Sequence, residues 1–120
     1  MKINSIEIAI DIIIDTSIKY SETVENGNYR LGNKLQDKMD CAAKYLKDNN
    51  CLKCLQNLLN HDNMQVRLSS AYYLLEIDED VACHTLKNIA NKNISHISTS
   101  AATILERWSS GELKVYFGKE

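Results

Sequence analysis

Residues 62–75 read DNMQVRLSSAYYLL, and this stretch decides the fold class. Its apolar side chains include Val66, Ala71 and Leu74, at a spacing that places them on one face of an α-helix. Asp62 precedes this apolar stripe and belongs to the residue types that commonly cap helices. The stretch therefore predicts a short amphipathic helix with a capped start.

The same pattern returns 31 residues later in the chain. The shift aligns apolar positions with apolar positions, one small alanine with another, and one capping residue with another. The aligned pairs are Leu55 with Leu86, Leu58 with Ile89, Asp62 with Asn93, Val66 with Ile97, Ala71 with Ala102, and Leu74 with Leu105. Because a single helical hairpin cannot bury its own apolar stripe, we expect tandem hairpins that stack to form the core.

Residues 1–50 predict a long antiparallel helix pair ahead of the repeats. In the first helix of the pair, isoleucine occupies every second position, as in a half-buried strand, and isoleucine favours strands. A helical spacing instead continues from Ile6 to Val24, and strands rarely exceed about ten residues. Length therefore favours a helix, with Ser5 or Asn4 as its N-cap.

The stretch at residues 62–75 resembles the second helix of a HEAT-like repeat, which usually carries an aspartate, a Val-Arg pair, an alanine and a leucine. The matching residues are Asp62, Val66, Arg67, Ala71 and Leu74. The second copy departs from this pattern, with Asn93 in place of the aspartate and Ser98 in place of the arginine.

Residues 3–113 also resemble a small bacterial family of uncharacterised HEAT-like proteins. The likeness rests on the long helix pair, the run AYYLL at residues 71–75 and the run ERWSSGEL at residues 106–113. Some small helical proteins of this kind resemble immunity proteins encoded beside polymorphic or contact-dependent toxins. The resemblance implies a binding role and no catalytic motif.

We therefore expect an all-α fold, a HEAT-like stack of antiparallel helical hairpins (an α-α superhelix) with about six helices in one domain. Within this domain, residues 1–50 form the long helix pair, residues 51–110 form two repeat hairpins, and residues 111–120 form a C-terminal tail.

Charge and hydropathy exclude several classes of protein. Sixteen Asp and Glu oppose fourteen Lys and Arg, so the chain lacks the basic field that nucleic-acid binding requires. Glu7, Asp11 and Asp15 interrupt the apolar start, so we expect neither a signal peptide nor a membrane span. The expected protein is cytoplasmic, and its four cysteines are expected to remain free thiols in that reducing compartment.

Cys51 and Cys54, followed by His61, are the nearest approach to a metal site. A structural zinc site needs four converging ligands, whereas Cys83 and His84 are neighbours whose side chains diverge by about 100 degrees on a helix. Cysteine beside a leucine stripe is an ordinary small apolar residue. We therefore expect no metal, no other cofactor and no catalytic residue.

Four carboxylates are concentrated in the corner after the helix at residues 62–75. They belong to Glu76, Asp78, Glu79 and Asp80. The last three would occupy the first turn of the following helix, where its dipole favours negative charge. One or two carboxylates suffice for that purpose, so the surplus charge is a candidate docking patch for a basic partner.

Two further features are candidate contacts with a protein partner. Glu7, Asp11 and Asp15 are spaced to lie on one face of the first helix, where Lys34 and Lys38, or water alone, are expected to neutralise them. Of the adjacent residues Tyr72 and Tyr73, one can face the core while the other points outward, and tyrosine is favoured at interfaces. The apolar tail at residues 113–117 is expected to pack over the end of the stack.

The sequence thus leads to a functional hypothesis with alternatives. The first is a non-catalytic bacterial immunity protein that binds and sterically occludes a cognate toxin domain, possibly a nuclease, through its acidic patches. The second is a scaffold or regulatory subunit that bridges two partners. An enzyme whose active site leaves no motif is the third.

Overall fold

The computed structural model of the chain describes residues 3–118, and this part is helical with no β-strand. The helices are α1 (Ile6–Asn26), α2 (Tyr29–Asp48), a 3-10 helix (Leu52–Leu58), α3 (Met64–Leu74), α4 (Glu79–Ala90) and α5 (Ser95–Ser109). The expected all-α fold of about six helices is confirmed. The third helix differs from expectation, since the leucine stripe that begins at Leu52 forms a 3-10 helix.

Contacts within the chain define two compact units. The first lies within Met1–Cys54 and Tyr116–Glu120, and the second is Leu55–Val115.

The first unit is built on the α1–α2 hairpin. Ser5 caps α1, because its Oγ accepts a hydrogen bond from the Ile8 N–H at 3.1 Å. Gly27 ends α1 in the left-handed conformation, with φ +75°, and its N–H bonds to the Thr23 carbonyl. Asn28 then caps α2 through its side chain. Since only these two residues separate the helices, α1 and α2 run antiparallel, as the sequence predicts.

Small residues let α1 and α2 approach closely near this turn. Gly32 of α2 is buried, and a Cβ placed there would lie 2.8 Å from the Oγ1 of Thr23. Thr23 is itself buried and donates a hydrogen bond to the Tyr20 carbonyl at 2.7 Å. The apolar core of the hairpin comprises Ala9, Ile13, Leu35, Met39, Ala42, Ala43 and Leu46.

The second unit has α3 at its centre, in contact with both α4 and α5. Eight of the helix's residues are buried, including Val66, Ala71, Tyr73 and Leu74. The capping residues of this unit differ from those expected. Asn63, not Asp62, caps α3 by accepting from the Val66 N–H at 3.1 Å.

The start of α5 also differs from expectation. Asn93, the expected cap, has φ +55°, a left-handed conformation that asparagine tolerates and that differs from the extended backbone usual at a cap. Ile94 occupies the N-cap position instead, without a side-chain cap bond, and Ser98, inside the first turn of α5, satisfies backbone groups at this end of the helix. The buried Ser98 hydroxyl accepts from the Ile94 N–H at 2.8 Å and donates to the Ile89 carbonyl at 2.7 Å.

Cys51 and Cys54 form a disulfide, so the expectation of four free thiols is wrong for this pair. The 3-10 helix that begins at Leu52 is the reason. Residues three apart eclipse each other in a 3-10 turn, and the two Cα atoms lie 5.5 Å apart, within the range that a disulfide spans. Cys41 and Cys83 are free thiols, the first exposed and the second half-buried.

The C-terminal tail contacts the rest of the chain at two positions. Val115 is buried in the second unit. Phe117, in the first unit, lies under the Lys47 ammonium, which is 4.6 Å from the ring centroid.

Candidate protein-binding surface

Residues 76–81, called the acidic segment below, connect α3 to α4 and form the first turn of α4. The connection is tight, because the N–H groups of Ile77 and Asp78 both bond to the Leu74 carbonyl. Glu79 and Asp80 occupy the first turn of α4, where the helix dipole stabilises negative charge. Asp78 stands at the N-cap position without making a side-chain cap bond.

Three carboxylates of the acidic segment are held by neutral donors. Glu76 accepts a hydrogen bond from the backbone N–H of Val115 at 3.4 Å. The side-chain amide of Gln56 donates to Asp78. Glu79 accepts from the indole N–H of Trp108 at 2.6 Å. A neutral donor orients a carboxylate without cancelling its charge.

No cation forms an ion pair with the acidic segment within residues 3–118. The ion pairs of this part of the chain join Lys19 to Asp15 and Lys44 to Asp48, each within one helix of the first unit. The acidic segment therefore combines fixed carboxylate positions with uncompensated negative charge.

The negative field of the segment reaches the next turn of α4. Burial raises the pKa of the Cys83 thiol above its ordinary value of 9.0, and the negative charges of Glu79 and Asp80 raise it further. Lys87, on the other side of the thiol along the helix, acts in the opposite direction.

Two apolar side chains are exposed within the acidic segment. Ile77 is 45% exposed and Val81 is 41% exposed. Single exposed apolar side chains are common on protein surfaces, but here they lie beside carboxylates, so the segment offers apolar area as well as charge. Sequence reasoning did not single out these two exposed side chains, and the position of Ile77 between carboxylates was the available signal.

Tyr72 and Tyr73 separate as the sequence suggests. Tyr73 is fully buried, so it is a core residue and not an accessible contact, which corrects its assignment to the binding surface. Tyr72 is half-buried, and its ring meets that of Tyr73 edge to face with centroids 5.0 Å apart. Of the two, Tyr72 alone retains surface for a partner.

The acidic row of α1 belongs to the first unit, and its three members Glu7, Asp11 and Asp15 are all exposed. Neutralisation by Lys34 and Lys38 is not observed among the described residues, because the cation that pairs with Asp15 is Lys19, at 3.1 Å. Lys19 follows Asp15 by four residues on α1, a spacing at which two side chains of one helix can pair. This ion pair therefore involves no residue of α2.

Residues 3–118 contain neither a cluster of metal ligands nor a helix that could span a membrane. No three side chains of His, Cys, Asp or Glu converge there as metal ligands. None of the helices in this range combines the length and the apolar character needed to cross a bilayer.

Comparisons with known proteins place the chain in a family. Residues 7–108 match a domain of unknown function (DUF2019), and since this match spans most of the chain, the protein belongs to that family. The crystal structure of the protein RPA1889 from Rhodopseudomonas palustris CGA009 superimposes with a TM-score of 0.85 and 21% sequence identity, over 94% of this chain and 98% of that one. This likeness supports the fold alone. No curated protein sequence matches significantly.

Proposed function

We propose that this DUF2019 protein is a non-catalytic binding module whose acidic segment docks a basic protein partner. The observation that carries the proposal is the fixing of Glu76, Asp78 and Glu79 by neutral donors, without an ion pair among residues 3–118. Carboxylates that are oriented before binding lose less conformational freedom when a partner's lysine or arginine arrives.

Charge and apolar contact have separate roles in this proposal. Uncompensated carboxylates steer a basic partner toward the surface and raise the association rate more than the final affinity. Ile77 and Val81 then supply apolar area that the complex buries, which slows dissociation. Nuclease inhibitors form specific complexes whose association is steered by charge in this way.

The most specific form of the proposal is an immunity protein. Its partner is a toxin domain with a basic active-site surface, such as a nuclease, and inhibition is steric because the bound module covers that surface. This form rests on the family resemblance of the sequence together with the acidic segment.

Co-expression tests the immunity role. Any toxin domain found to be encoded beside the gene would be induced in a bacterial host with the wild-type chain, with the double variant Glu79→Lys and Asp80→Lys, or with a control. The control is Asp37→Lys with Asp62→Lys, which changes the net charge equally at two exposed positions outside the acidic segment. We expect the wild type and the control to restore growth and the acidic-segment variant to restore it poorly.

Failure of the wild-type chain to protect the host would reject the immunity role. Full protection by the acidic-segment variant would support the immunity role, but it would show that the acidic segment is not the surface that binds the toxin.

A scaffold is the second candidate. The observation that favours it is a separate exposed acidic row on α1, where Ile8 and Ile18 are also exposed at 41% and 36%. A scaffold would bind one partner through α1 and another through the acidic segment. Reversing Glu7 and Asp11 to lysine should then release one partner and leave the other bound, as measured by co-purification.

A further inference from the structure

The second unit contains a cleft of about 490 Å³ whose charge is opposite to that of the acidic segment. Residues after the 3-10 helix, one residue of α3 and the C-terminal half of α4 line it. The lining includes Arg67, His84 and Lys92 but no aspartate or glutamate. In a chain of net charge −2, this segregation of basic groups into one concave site favours an anionic ligand.

Arg67 is held in position at this cleft. Its Nε donates to the His61 carbonyl, and its Nη1 lies 3.3 Å from the Met64 sulfur. The side chain is half-buried, and no carboxylate pairs with it among residues 3–118. Guanidinium groups removed from water are usually paired with an anion. The five N–H groups of arginine leave further donors for a ligand after these two contacts.

The rest of the cleft suits a polar organic molecule. Asn60 and Asn88 present side-chain amides that can both donate and accept hydrogen bonds, and Ile89 contributes an apolar surface. The carbonyl end of α4 at Ala90 borders the cleft and disfavours an anion, so the positive charge for an anionic ligand must come from the Arg67 and Lys92 side chains.

We propose that this cleft binds a small phosphorylated metabolite. Its phosphoryl group would be bound by the Arg67 fork and the Lys92 ammonium, and its polar body by Asn60 and Asn88. The cleft volume of about 490 Å³ falls in the range of small-ligand sites and exceeds what a free phosphate ion fills.

A second cleft in the same unit has a similar volume but a different lining. It measures about 460 Å³, but hydroxyl groups and the Glu106 carboxylate line it, and no basic residue does. The basic lining therefore distinguishes the first cleft as the anion site.

A titration followed by amide NMR chemical shifts tests the proposal, with ribose 5-phosphate, inorganic phosphate and ribose as probes. We expect ribose 5-phosphate to shift the amides of Asn88 and Lys92 saturably, inorganic phosphate to bind more weakly, and ribose to cause no shift. Lys92→Gln should weaken ribose 5-phosphate binding about tenfold, the loss of one charge-assisted hydrogen bond. Lys87→Gln removes an equal charge from an exposed site on α4 outside the cleft and should leave the affinity unchanged.

Three results would overturn the proposal. The first is the absence of saturable shifts at the cleft with either phosphorylated probe. The second is equal weakening by Lys87→Gln and Lys92→Gln, since that indicates general charge screening. The third is equal affinity for inorganic phosphate and ribose 5-phosphate, which would exclude recognition of an organic body. None of these results depends on the protein partner proposed above.

Discussion

The indole N–H of Trp108 donates to a carboxylate oxygen of Glu79 at 2.6 Å, joining the last turn of α5 to the first turn of α4. Twenty-nine residues separate the two side chains along the chain. This bond ties the acidic segment to the helix that closes the second unit. The orientation of a candidate recognition carboxylate therefore depends on the packing of α5.

Trp108→Phe tests this coupling, because it removes the N–H donor and keeps an aromatic ring. We expect the free energy of unfolding to fall by about 1 kcal/mol, the usual net contribution of one hydrogen bond, as measured by urea denaturation. A stability equal to that of the wild type would show that the bond contributes nothing to the fold.

Two buried serines should respond in opposite ways to the same substitution. The Ser98 hydroxyl satisfies two backbone groups, so Ser98→Ala should lower the free energy of unfolding by about 1–3 kcal/mol. The Ser70 hydroxyl is buried without a hydrogen-bond partner among residues 3–118. Ser70→Ala should therefore leave stability unchanged or raise it by about 1 kcal/mol. Equal destabilisation in urea titrations of both variants would contradict this assignment.

Gly32 should be required for the close approach of α1 and α2. In Gly32→Ala the new Cβ would lie 2.8 Å from the Thr23 Oγ1, so that side chain must move, at a cost of about 1–3 kcal/mol. Adding Thr23→Ala removes the atom that obstructs the Cβ and should recover most of this loss. A double variant as unstable as Gly32→Ala alone, by thermal denaturation, would show that the backbone and not Thr23 limits the space.

The reactivity of Cys83 should report the charge of the acidic segment. Burial and the Glu79 carboxylate raise its pKa, which lowers the fraction of the thiol present as the reactive thiolate. Glu79→Gln removes one raising charge, which should lower the pKa of Cys83 and speed its alkylation by iodoacetamide. Peptide-level mass spectrometry would measure the rate. Glu76→Gln is the control, because Glu76 is not among the charges that shift this thiol.

Helical periodicity was sufficient to predict the fold class and the extent of α1, but not the caps of α3 and α5. The stripe from Ile6 to Val24 overrode the local isoleucine alternation, and α1 extends over Ile6–Asn26. Gly111 lies two residues beyond the end of α5 at Ser109, with φ +80°, a left-handed conformation that favours glycine. These features depend on residues close in sequence, which is why a sequence pattern contains them.

Features that depend on distant residues were not predictable in the same way. The donors that orient Glu76, Asp78 and Glu79 come from 22 to 39 residues away, and no local pattern indicates them. The basic cleft likewise combines Arg67 with residues of α4. The disulfide was missed for a different reason, since it depends on whether residues 52–58 form a 3-10 or an α-helix, and leucine spacing does not distinguish the two.

The most direct test of the proposed recognition surface is the association rate constant between the chain and a toxin domain that it neutralises in the co-expression test, measured against ionic strength. For the wild type and for the control Asp37→Lys with Asp62→Lys, the rate should be high at low salt and fall steeply as salt is added. Glu79→Lys with Asp80→Lys should reduce the low-salt rate at least about tenfold and flatten its salt dependence. An unchanged low-salt rate in that variant would contradict a docking role for the acidic segment.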